Sequence, residues 1–130
     1  MPKRSAPRPT DAELEILNVL WQRGASTVRE VHQAISRTKS SVGYTTILKL
    51  MQIMAEKNLV RRNESQRAHV YEPRLAREQT QRQLIGDLLE RAFDGSATKL
   101  VMQALSTKNA SAEELSSIRE MLDEVERGES

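Results

Sequence analysis

Apolar residues recur along this chain at helical spacing, then at strand spacing, then at helical spacing again. Leu14, Leu17, Leu20 and Trp21 make the first stripe, with Trp21 expected in the core. The run Thr10-Asp11-Ala12-Glu13 ahead of it has the form of a capping box. In such a box the Thr hydroxyl accepts from the Glu N–H, and the Glu carboxylate reaches back to the Thr N–H. The pattern predicts a first helix over residues 11–22, ended by Gly24. A second box, Thr27-Val28-Arg29-Glu30, leads into Val28, Val31 and Ile35 and predicts a helix over 28–36. A polar segment precedes a third helix over 44–57, whose inner stripe is Ile47, Leu50 or Met51, and Met54. Asn58, a residue that tolerates the left-handed backbone of a helix end, follows it.

The period then falls to two. Residues 59–63 read as a strand, 64–67 as a polar turn, and 68–72 as the returning strand, ended by Pro73. Helical spacing returns over 76–93 with Leu84, Ile85, Leu88, Leu89 and Phe93 on one face. Asp94-Gly95-Ser96 breaks that helix, and 97–106 predicts another with Leu100, Val101, Ala104 and Leu105. A third capping box, Ser111-Ala112-Glu113-Glu114, opens a last helix over 112–126 carrying Leu115, Ile118, Leu122 and Val125.

Three helices followed by a two-stranded hairpin is the order of a winged helix-turn-helix. The fold expected is therefore mainly α: an N-terminal winged helix-turn-helix over 10–74, then a C-terminal three-helix region over 75–130. Residues 1–9, rich in Pro, Lys and Arg, read as a flexible basic arm in which Lys3, Arg4 and Arg8 could enter a minor groove. The C-terminal helices have broad apolar faces on a piece too small to be stable alone. Leu84, Leu88, Leu100, Leu115, Ile118, Leu122 and Val125 are the candidate dimerisation residues, the last four at the 3-4-3 spacing of a helix–helix seam.

Composition narrows the chemistry. The 130 residues include no cysteine and two histidines, His32 and His69. Disulfides, thiol nucleophiles, iron–sulfur clusters and thiolate zinc sites are excluded. No nucleophile–base pairing, paired-carboxylate site or phosphate-binding loop stands out, so no catalytic residue, metal or cofactor is expected and the chain does not read as an enzyme. No stretch approaches the ~18 apolar residues of a membrane span. The start lacks the apolar core of a signal peptide. A cytoplasmic protein without membrane insertion is the expectation.

Charge changes the picture more. The net charge is +2, but residues 1–74 hold 13 Lys and Arg against 7 Asp and Glu, whereas residues 75–130 hold 7 against 11. A basic half joined to an acidic half points to a polyanion-binding module with an appendage. In a helix-turn-helix the second helix of the pair enters the major groove, and here its start and outer face offer Tyr44, Thr45, Thr46 and Lys49. Hydroxyls can bond base edges and phosphates, and Thr methyls can pack on thymine methyls. Ser41 is a cap or a phosphate contact, and Gly43 a turn residue where backbone could approach DNA. Arg62, Arg67 and His69 are the wing candidates. Arg61 and Arg62 alternate faces, so one of the two faces DNA. Double-stranded DNA is the partner this implies; the alternative is a winged helix used only for protein–protein assembly.

The order of these segments resembles the penicillinase-repressor family, the BlaI/MecI repressors and their copper-responsive relatives. The resemblance runs through Thr10-Asp11-Ala12-Glu13-Leu14-Glu15-Ile16-Leu17, Val19-Leu20-Trp21 and Thr27-Val28-Arg29-Glu30-Val31. It continues through Tyr44-Thr45-Thr46-Ile47-Leu48, Glu56-Lys57-Asn58-Leu59-Val60, Arg67-Ala68-His69-Val70-Tyr71-Glu72-Pro73 and Ser111-Ala112-Glu113-Glu114-Leu115. It implies a homodimeric repressor that binds a palindromic operator. It also implies inactivation by a membrane sensor-protease cutting in the C-terminal region. The position that corresponds to the family's Asn–Phe bond is Gln103–Ala104, a departure at the candidate cleavage pair. Copper sensing through a cysteine cluster is excluded, since the chain has no cysteine.

Overall fold

The computed structural model describes residues 8–39 and 42–128. The elements run α1 (Asp11–Arg23), β1 (Ser26–Thr27), α2 (Val28–Ser36), α3 (Tyr44–Glu56), β2 (Val60–Asn63), β3 (Val70–Pro73), α4 (Arg77–Ala92), α5 (Ala97–Thr107) and α6 (Ala112–Glu126). The fold is mainly α with one small antiparallel sheet, as the sequence pattern predicts. All three capping boxes form. Thr10, Thr27 and Ser111 accept from the N–H three residues on, and Glu13, Glu30 and Glu114 return the bond. Gly24 ends α1 at φ 92 and Asn58 follows α3 at φ 64, both in the left-handed region where a Cβ is strained.

The chain divides into two compact units, Met1–Ile85 and Gly86–Ser130, so the division falls inside α4 rather than between residues 74 and 75. In the first unit, Ile16, Leu17 and Leu20 of α1 pack with Val28, Val31 and Ile35 of α2 and Ile47, Met51 and Met54 of α3. Leu59, Val60 and Tyr71 close the core from the sheet side. Of the two residues left open for the α3 stripe, Met51 is the buried one and Leu50 is half-buried. Trp21, expected in the core, is only half-buried. Its indole N–H needs an acceptor, and it donates to the Leu75 carbonyl at 3.0 Å while the Arg77 guanidinium lies 5.8 Å from the ring. The first turn of α4 belongs to the first unit accordingly, and Thr80 is buried there.

The sheet departs from the expected hairpin in two ways. A third strand, β1, adds to it in the order β1-β3-β2, pairing Ser26 with Tyr71 and Thr27 with Val70. The returning strand is Val70–Pro73 rather than 68–72, so Pro73 is its last member and not the residue that stops it. Proline fits because Val60↔Pro73 is a pair without mutual hydrogen bonds: the next bond runs from Arg74 N–H to the Leu59 carbonyl. The proline nitrogen therefore points away from β2, and β1 ends opposite Val70 and Tyr71, so no ladder bond is lost.

In the second unit no described residue is buried. Leu100, Leu115 and Ile118 are half-buried, whereas Leu88, Val101, Met102, Leu105, Met121, Leu122 and Val125 are exposed. Gln103 and Ala104 lie exposed within α5, and the Gln103 carbonyl accepts from the Thr107 hydroxyl at 2.7 Å. No helix among the described residues is long and apolar enough to cross a membrane.

Candidate nucleic-acid interface

The apolar stripe of α3 faces the core, which turns its other face outward. Thr45, Lys49, Gln52 and Glu56 stand at i, i+4, i+7 and i+11 on that face, and Thr45, Thr46 and Lys49 are exposed. Gly43 is the N-cap of α3 and has no side chain to satisfy the first amide groups; α1, α2, α5 and α6 each have a side-chain cap. Those amides and the positive end of the helix dipole are the elements of an anion contact. Gly43 is at φ −83, ψ 157, a conformation open to any residue, and a Cβ there would meet nothing within 4 Å. Its expected role as a turn glycine is therefore not required by the backbone.

The start of α3 is held from α2. His32 Nε2 lies 2.9 Å from the Val42 carbonyl, which can only accept, so this nitrogen carries the proton. The Ser36 hydroxyl is 3.3 Å from the same nitrogen. The His32 ring also meets the Tyr44 ring edge-on, with centroids 5.9 Å apart. Tyr44 is thus partly a packing residue between α2 and α3, although 47% of it is exposed.

Between α3 and the hairpin runs a groove of about 480 Å³. Of the site residues expected from sequence, it brings together Tyr44, Arg62, Arg67 and His69. Thr45, Thr46 and Lys49 do not line it but stand on the α3 face, and Gly43 stands at the helix start. Ser41, like Lys3 and Arg4, lies outside the described residues. His69 was expected in a strand; it is exposed in the turn just ahead of β3, with Arg67 two residues before it. Arg61 and Arg62 do take opposite faces. Arg62 pairs across the sheet with the buried Tyr71 and lines the groove, while Arg61 pairs with Glu72 at 3.2 Å. Arg62 donates to Tyr71 and lies beside the Glu64 carboxylate, and both push it further above its already high value, so it stays charged.

Two groove residues were missed by sequence reasoning, Arg29 and Gln52. Gln52 had a signal, since it continues the outward α3 face one turn past Lys49. Arg29 had none, because only the packing of α2 on α3 shows where its first turn faces. No Asp or Glu is among the lining residues, which include three arginines and a histidine; the Glu64 carboxylate, outside that lining, pairs with Arg62. No group of acids and histidines able to hold a metal occurs among the described residues.

Comparison with known proteins agrees with this geometry. The family model described as penicillinase repressor matches residues 9–124. The chain is 33% identical over 119 residues to the transcriptional regulator BlaI of Mycobacterium tuberculosis, covering 91% of this chain and 85% of that protein. It is 25% identical over 121 residues to the penicillinase repressor of Bacillus licheniformis, covering 93% and 94% respectively. Among solved structures, the solution structure of the DNA binding domain of the repressor BlaI matches with a TM-score of 0.50 and 25% identity, over 58% of this chain and 90% of that one. With the match spanning nearly its whole length, the chain belongs to the penicillinase repressor family.

Proposed function

We propose that this chain is a sequence-specific, DNA-binding transcriptional repressor that works as a homodimer on a palindromic operator. The observation that carries the reading is the groove of Tyr44, Arg62, Arg67 and His69, with no acid in its lining, beside the outward face of α3. Thr45, Thr46 and Lys49 read base edges and adjoining phosphates in the major groove, while the wing residues grip the backbone beside it. The DNA-binding domain of the BlaI repressor among the similar structures supports the same reading. No catalytic role is assigned to any residue.

The dimer half of the reading is supported by the second unit, whose apolar side chains are left at the surface. Leu88, Leu122 and Val125 are exposed on a piece with no buried residue, a state that a second copy would relieve. Leu100, Leu115 and Ile118 of the same unit are half-buried, as is Leu84 at the end of the first unit. Two-fold symmetry then presents two recognition helices to two half-sites. Inactivation by a membrane sensor-protease at Gln103–Ala104 belongs to the same reading and requires α5 to unwind, because both residues are helical. Such a repressor acts where the DNA is, in the cytoplasm.

Nuclease footprinting on the DNA directly upstream of the chain's own gene tests this. Two protected half-sites, related by symmetry and spaced by multiples of roughly 10 base pairs, are expected. Protection of nothing, with dimerisation intact, would favour a winged helix that assembles with proteins instead.

A further inference from the structure

Arg29 is the second residue of α2, exposed and lining the groove between α3 and the wing. Its sequence neighbour Glu30 does not neutralise it: that carboxylate bonds the Thr27 N–H at 2.9 Å and lies 3.9 Å from Arg23. Arg29 makes no ion pair with any described residue, and neither does Arg67 in the wing turn. The groove thus has uncommitted guanidinium groups contributed by two different elements, with Arg62 fixed beside them by Tyr71 and Glu64. Glu64 balances Arg62, so the excess positive charge of the concavity comes from Arg29 and Arg67, which an anion entering it would pair.

The geometry points to Arg29 as a DNA-backbone contact, gripping from the α2 side the phosphodiester strand that runs between α3 and the wing. The inference rests on the reading of this chain as a DNA-binding repressor and adds a third element to its interface. The groove is open and adjoins the α3 face that carries Lys49 and Gln52, which suits a polymer running past it better than an enclosed small anion. A strand carries one phosphate per roughly 3.4 Å of helix axis, so one passing through meets arginines from both sides. A contact of this kind fixes register and orientation without reading sequence.

Salt-titrated fluorescence anisotropy of the full chain tests it, with two labelled duplexes: the DNA directly upstream of the chain's own gene, and a shuffled duplex of the same composition. Arg29→Ala is expected to weaken binding to both by a similar factor, about 3- to 10-fold. It should lower the slope of log affinity against log salt by about one. Arg29→Lys keeps the slope, since the charge remains. If Arg29→Ala matches wild type in slope on both duplexes while Arg67→Ala lowers it, Arg29 lies outside the interface and the DNA-binding reading stands. A loss confined to the upstream duplex would also overturn a backbone role. If wild type binds neither duplex, the DNA-binding reading falls and this inference with it.

Discussion

Lys57 donates to the Glu13 carboxylate at 2.7 Å and so ties the first turn of α1 to the C-cap of α3. The same oxygen accepts from the Thr10 N–H at 2.9 Å, so the box that starts α1 also anchors the end of the recognition helix. Burial raises the proton affinity of Glu13. The Lys57 hydrogen bond, the Thr10 N–H, the Lys57 charge and the Thr10 hydroxyl outweigh it and hold the carboxyl below the usual carboxylate range. The pair's stabilisation is therefore fully present above that range and is lost as pH falls through the depressed value of Glu13.

Lys57→Met leaves the buried carboxylate without its charged partner and is expected to destabilise the chain by about 1.5–3 kcal/mol in urea unfolding. Glu13→Gln should lower stability at neutral pH and flatten the acid limb of the stability–pH curve. An unchanged acid limb in that variant would show that Glu13 does not carry the effect.

Gly43→Ala separates folding from binding. The backbone there suits any residue and an added Cβ meets nothing, so steric strain is absent. A weaker N-cap and a less flexible unfolded chain oppose one another, which leaves stability within about 0.5 kcal/mol. DNA affinity should still fall several-fold, because a methyl would stand where a phosphate approaches the α3 amides. Lost stability with unchanged affinity would remove Gly43 from the interface.

His32 packs at the start of α3 and does not line the groove, so any effect of it on DNA binding is expected to run through the pose of α3. His32→Phe keeps a ring against Tyr44 but leaves the Val42 carbonyl without its donor. The preference for specific over shuffled DNA should narrow while non-specific affinity holds, and His32→Gln, whose amide can donate, should restore part of it. An equal loss on both duplexes would mark a purely structural role. Competition binding on the two duplexes reads the difference.

Leu122→Asp combined with Val125→Asp places charges on α6 where the side chains are exposed, so the single chain should keep its helix content by circular dichroism. Light scattering should report a monomer, and tight operator binding should vanish, since half-sites bound independently lose the gain of joint binding. A variant that stays dimeric would exclude this face of α6 from the seam.

What could be read in the sequence was what local spacing encodes. The capping boxes at Thr10, Thr27 and Ser111 span three residues each, and all three form. The helix stripes of Ile47, Met51 and Met54 likewise need only the helical period. β1 was invisible because two residues carry no periodicity, and Ser26 becomes a strand member only by meeting Tyr71 far along the chain. The wing strand starts later than its pattern suggests, so His69 falls in the turn rather than in the strand. The second role of Glu13 was hidden for the same reason: its cap is local, but Lys57 arrives only through packing. Arg29 sits inside a capping box whose local pattern gives no direction to its side chain, and only the packing of α2 beside α3 and the wing brings it to the groove.

If the α3 face reads base edges while the adjoining groove grips the backbone, the chain binds DNA by sequence. Salt-titrated anisotropy of the wild-type chain, on the duplex upstream of its own gene and on a shuffled one, tests it most directly. A preference of roughly a thousandfold or more is expected, with a steep salt dependence of about 0.9 per neutralised phosphate. Equal, weak affinity for both duplexes would contradict it.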